Sequence, residues 1–86
     1  MTEEEFPKTL AGYEVIDHQR VLSREGEPPL AAVLRRDPAR TEALAYEVCS
    51  ASLHNGEWRG FNTEHSMPLP EARRCFNRRI QERGAV

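Results

Sequence analysis

Cys49, His54, His65 and Cys75 are the side chains best able to hold a soft metal or to act as nucleophiles. Thiolate and imidazole both suit zinc. Their spacing, C-x4-H, ten residues, then H-x9-C, departs from the paired short spacings of structural zinc sites. A Cys–His nucleophilic pair needs a thiolate beside an imidazole that a third group orients. Cys75 stands next to Phe76 on what should be the buried edge of a helix, where apolar surroundings keep a thiol protonated and inert. His18 falls in the middle of an expected strand and fits a half-exposed sheet position better than a proton shuttle. The sequence contains no G-x-S-x-G elbow, no phosphate-cradling glycine loop and no H-E-x-x-H helix. These residues call for no metal, no cofactor and no enzymatic activity.

Two groups of residues suit binding instead. The first is the arginine set Arg73, Arg74, Arg78 and Arg79 on an expected C-terminal helix. Arg74 and Arg78 are four apart and form one surface row, while Arg73 and Arg79 flank it by about 100° on either side. Guanidinium forks grip carboxylates and phosphates at two points. The second is the segment holding Tyr46, Trp58, Arg59 and Phe61, residue types that dominate protein–protein contacts when exposed. Adjacent strand residues face opposite ways, so Trp58 and Arg59 divide between the two faces. A single tryptophan in so small a chain reads as core in preference to surface. The expected partner-binding residues are therefore Trp58, Arg59, Arg73, Arg74, Arg78 and Arg79.

Charge decides between partner classes. Fourteen acidic residues stand against twelve basic ones, a formal net charge of −2, and 38% of the residues are hydrophobic. A nucleic-acid-binding domain usually carries a strongly basic footprint, so a protein partner is favoured and nucleic acid is the alternative. The total hides a dipole. Residues 1–17 carry five carboxylates against Lys8 alone, whereas residues 70–84 carry five arginines against Glu71 and Glu82. The longest apolar run, Leu30 to Leu34, is too short to span a membrane. Two cysteines and an acidic N-terminus without a signal pattern lead to the expectation of a reducing cytoplasm.

These residues must be positioned by few elements, because 86 residues make one small domain. Such a chain buries only about 60–65% of its unfolded surface, and a homo-oligomer would add to so thin a margin. Residues 1–12 read as a weakly ordered acidic arm that Phe6 and Leu10 could tack down, with residues 13–84 as the domain. Tyr13 to Leu22 alternates like a strand, with Tyr13, Val15 and Val21 on one face. Ile16 and Leu22 fall on the other, which requires a bulge or cover on both sides. Gly26 and Pro28-Pro29 make a loop before a second strand, Leu30 to Arg36. After Asp37-Pro38 two readings compete, a helix capped by Asp37 or a turn followed by a strand from Glu42 to His54. Asn55-Gly56, the favoured pair of a type I′ hairpin, tips the balance to the strand. Pro70 and Glu71 open a helix, Leu69, Ala72, Phe76 and Ile80 form its apolar stripe, and Gly84 stops it. The expected fold class is α+β, a small antiparallel β-meander of three to four strands with one C-terminal helix packed on one face.

The run Gly56-Glu57-Trp58-Arg59-Gly60-Phe61-Asn62-Thr63, followed by the helix beginning Pro70-Glu71-Ala72-Arg73-Arg74, resembles two module types in element order. These are the arm-binding N-terminal domain of phage-type integrases and the WGR domain of DNA-repair enzymes. The Trp-Gly-Arg tripeptide of the latter is absent. The resemblance implies the nucleic-acid alternative by fold analogy. The residues themselves point first to an accessory or regulatory domain that binds a protein.

Overall fold

The computed structural model describes residues 6–86. Five antiparallel strands follow one another across a single sheet: β1 (Thr9–Leu10), β2 (Tyr13–Val21), β3 (Leu30–Arg36), β4 (Tyr46–His54) and β5 (Glu57–Met67). One helix, α1 (Leu69–Arg83), closes the chain against one face. The α+β meander is as expected, with one strand more. That strand, β1, lies in the segment read as an arm. Leu10 is buried and pairs with Tyr13 across a turn in which Ala11 and Gly12 both take positive φ. Phe6 stacks on His18, with ring centroids 4.3 Å apart. Residues 1–5, with the acidic run Glu3 to Glu5, lie outside the described residues.

The sheet is curled, and each face carries its own apolar cluster. On the helix side Val21, Leu30, Leu34, Tyr46, Val48 and Met67 pack against Ala72, Cys75 and Phe76, with Leu69 and Ile80 at the margin. That is the stripe whose spacing marked the helix. On the far side Leu10, Val33, Cys49 and Ala51 pack with Phe6, Val15 and Trp58. β3 is central and is buried on both faces through Arg35, which is why it reads as a continuous apolar run. The far side also encloses a charged pair, Arg35 and Glu47, joined through Nε and Nη2 to Oε1 at 3.0 Å.

The bulge expected in β2 sits at Ile16, between Val15 and Asp17, and it corrects the assignment of faces. Val15 belongs to the far cluster and Val21 to the helix-side cluster, so the two do not share a face. The inserted residue inverts the alternation, leaving Asp17 toward the helix and His18 toward Phe6. β4 begins at Tyr46 rather than Glu42, because Glu42–Leu44 forms a 3₁₀ turn in which Leu44 N–H donates to the Thr41 carbonyl at 2.9 Å, and Asp37 N–H donating to the Ala45 carbonyl at 2.8 Å closes the connection from β3. The strand reading of this segment over the helical one is borne out.

At the hairpin tip Asn55 and Gly56 have φ of 50° and 81°, the type I′ geometry. No atom would crowd a Cβ at Gly56, so Gly56→Ala meets backbone strain alone. The expected result is a loss of about 1 kcal/mol, read as a lower urea midpoint at unchanged slope.

α1 crosses the sheet diagonally, from the Met67 end of β5 to the Val21 end of β2. Past Gly84 the chain returns along β2, where Leu22 N–H donates to the Gly84 carbonyl at 2.9 Å and Val86 N–H to the Arg20 carbonyl at 3.0 Å. Among the described residues no helix is long and apolar enough to cross a membrane.

Candidate interaction cleft

The diagonal course of α1 leaves uncovered the part of the helix-side face that lies toward the β4–β5 hairpin. Cross-strand register decides which side chains line it. Ser50 pairs with Phe61, Val48 with Glu64 and Tyr46 with Met67, so helix-facing positions on β5 recur every three residues. Plain alternation would have turned Thr63 and His65 toward the helix. Two bulges prevent this, with Asn62 and Ser66 at positive φ of 56° and 61°. They aim Glu64 at the helix and leave His65 on the far side, where its Nδ1 lies 3.1 Å from Glu47 Oε2.

Glu64 is the hub of the site. It accepts from Cys75 Sγ at 2.6 Å, Arg79 Nη2 at 3.0 Å and Arg78 Nη2 at 3.2 Å. Arg79 also donates through Nη1 to Ser50 Oγ at 3.0 Å, and its side chain is only 10% exposed. The Cys75 thiol, followed by the Arg79 guanidinium, holds the Glu64 carboxyl below the usual carboxylate range. Burial first, and the hydrogen bond to Glu64 second, push the Cys75 thiol up. Burial does the same for Cys49 on the far side of the sheet. Both thiols are free, buried and protonated at neutral pH. Neither is therefore expected to react with a thiol-disulfide reagent in the folded protein, while both react in denaturant. Rapid modification of the native protein would contradict the placement.

Over this hub opens a cleft of about 470 Å³. Leu30, Ala32 and Ser50 form its floor, Phe61 its wall, and Arg78 and Arg79 its helical side. Arg24 and Arg83 close the end near the β2–β3 loop. That end is braced by Glu27, which accepts from Arg83 Nη1 and from Arg24 N–H, both at 2.7 Å. The Arg83 side chain, then the Arg24 backbone N–H, lower the Glu27 pKa from 4.5 to about 2. A depressed carboxyl adds stability above its unfolded pKa and loses it as pH falls through the folded one. The urea-midpoint difference between wild type and Glu27→Gln should thus be full above about pH 5 and vanish on acidification toward pH 2. A difference that persists at the acid end would contradict the contact.

The expected binding residues separate. Arg78 and Arg79 line the cleft. Arg59, which pairs in register with Ser52, belongs to the same sheet face beside Phe61. Arg73 lies on the other flank of α1, bound to Asp17 at 2.8 Å. Arg74 is exposed and makes no ion pair among the described residues. Trp58 is on the far face, half-buried against Phe6 and with the Arg20 guanidinium 5.4 Å from its ring centroid. No family model, curated protein or solved structure matches this chain. The integrase-like and WGR-like element order accordingly carries no family assignment.

The four candidate metal ligands are not brought together. Cys49 and Cys75 lie on opposite sides of the sheet, and His54 Nε2 hydrogen-bonds with Ser52 Oγ at 2.9 Å. Sequence reasoning did not place Ser50, Glu64, Arg24 and Arg83 at a site. Their grouping depends on the β5 bulges and on the end point of the helix, for which local pattern gives no signal.

Proposed function

We propose that this protein is a small, non-enzymatic accessory or regulatory domain that binds a protein partner through the uncovered helix-side face. Phe61 carries the reading: a phenylalanine 45% exposed, with an apolar floor beside it and arginines on two sides. Exposed aromatic and arginine side chains around a concave surface are the ingredients of a binding hot spot. Glu64 and Arg79 give the surface a fixed base, since their mutual contacts with Ser50 and Cys75 hold the cleft wall in one arrangement.

Nucleic acid is the second reading, and the arginines motivate it. The carboxylates of Glu64, Glu82 and Glu27 at and around the cleft disfavour a continuous phosphate backbone. Affinity capture from native extract with and without nuclease treatment, using wild type, Phe61→Ala and Arg74→Glu, separates the possibilities. One protein retained by wild type and Arg74→Glu but lost from Phe61→Ala is the expected result. Retention by Phe61→Ala and loss from Arg74→Glu would move the interface elsewhere. Loss of all capture on nuclease treatment would favour nucleic acid.

A further inference from the structure

We infer that the cleft takes an acidic segment of the partner, seating an apolar side chain against Phe61 while a neighbouring carboxylate meets Arg24 and Arg78; this rests on the reading of that face as a protein-binding surface. The arginines of the cleft are not equivalent. Arg79 is spent within the fold, its two terminal nitrogens committed to Ser50 and Glu64. Arg83 is held by both oxygens of Glu27. Arg78, by contrast, engages Glu64 and Cys75 through Nη2 alone, so its Nε and Nη1 have no hydrogen-bond partner among the described residues. The Arg24 guanidinium has none either, and Arg59 meets Glu57 only loosely, at 3.7 Å. Three guanidiniums with unused donors thus stand around one exposed aromatic ring and the apolar floor of Leu30 and Ala32.

That arrangement selects by chemistry. A carboxylate accepts two N–H bonds from a guanidinium fork, and an apolar neighbour removes the exposed Phe61 ring from water. The cleft has room for a few side chains rather than a folded domain, which suits a short segment. A polyanion is disfavoured because Glu64 and Glu82 interrupt the positive surface. A basic segment would leave Arg24 and Arg78 facing like charges. The residue that sequence reasoning did not nominate, Arg24, becomes a recognition residue, and Arg74 has no part.

The test is fluorescence polarisation with two labelled pools of short peptides, one alternating Asp or Glu with Leu or Phe, the other carrying Lys in place of each acid. The acidic pool should bind, more weakly as salt rises, and the lysine pool should not. Arg24→Ala, Arg78→Ala and Phe61→Ala should each weaken binding about tenfold, with Arg74→Ala unchanged. Circular dichroism of each variant checks that its fold is retained, and Arg24→Lys supplies a second, milder probe at that position. Equal binding of both pools, binding unaffected by Arg24→Ala and Arg78→Ala, or tighter binding of a single-stranded oligonucleotide would overturn the inference. Absence of peptide binding, where the Phe61-dependent protein is still captured from extract, would overturn the acidic-segment inference and leave the protein-binding reading standing. Loss of that capture as well would remove both.

Discussion

Glu47→Ala is expected to destabilise the domain by about 3–5 kcal/mol, because it strands a buried guanidinium. The Arg35 and Glu47 side chains are 6% and 5% exposed, enclosed by the curl of the sheet. Arg35 gives Nε and Nη2 to Glu47, reaches the Leu10 carbonyl through Nη1 at 3.5 Å and lies 4.6 Å from the Tyr13 ring centroid. The pair links β3 to β4 and, through Leu10, to β1. The β5 backbone packs beside it at Gly60, where a Cβ would stand at ordinary contact distance, 3.4 Å, from both Arg35 Nη1 and Cys49 Sγ. An 86-residue domain has roughly 4–13 kcal/mol of total stability, so the substitution takes a large share of it. Replacing both partners, Arg35→Met with Glu47→Leu, should recover most of the loss, because desolvating two charges offsets much of what their attraction returns. Urea unfolding followed by circular dichroism checks both expectations. A Glu47→Ala variant as stable as wild type would show that the pair is solvated.

Leu34→Ala should cost about 2–5 kcal/mol by a different route. Leu34 is fully buried in the middle of β3 and stands between the sheet and α1. Deleting its branched end loses transfer free energy and opens a void that the neighbouring Val48 and Phe76 cannot fill without moving the helix. Leu44→Ala, on an exposed side chain in the 3₁₀ turn, should stay within about 0.5 kcal/mol. Thermal or urea unfolding of the two variants distinguishes a core that depends on helix docking from one spread over the molecule. Similar losses for both would contradict the placement of the core.

The parts of this structure that were legible in the sequence are those set by near neighbours. Leu69, Ala72, Phe76 and Ile80 mark the buried stripe of α1 because helical spacing brings them together without help from the rest of the chain. Asn55-Gly56 marks the hairpin because positive φ is cheap at that pair. β1 was hidden because Ala11 takes positive φ, a conformation alanine adopts only when pairing such as Leu10 with Tyr13 holds it there. The bulge at Ile16 was visible, but its effect on the facing of Val21 needed the register with β3.

The site was legible in composition and obscure in arrangement. Four helix arginines could be recognised as a surface from their spacing. Which flank they serve depends on partners far along the chain: Asp17 draws Arg73 to one side, and Glu64 draws Arg78 and Arg79 to the other. Glu64 itself faces the helix only because Asn62 and Ser66 interrupt the alternation of β5. Asparagine takes positive φ at low cost, but an isolated Asn62 does not set the strand register by itself. Serine has no such preference: Ser66 is held by tertiary contacts such as the hydrogen bond that Arg40 Nη1 donates to its Oγ at 2.9 Å.

The most direct measurement places a photo-crosslinking amino acid at position 61 in one variant and at position 74 in another, and irradiates each in native cells. The protein-binding reading predicts a discrete protein adduct from position 61 and none from position 74. A protein adduct from position 74 alone, or a nuclease-sensitive adduct from position 61, would contradict it.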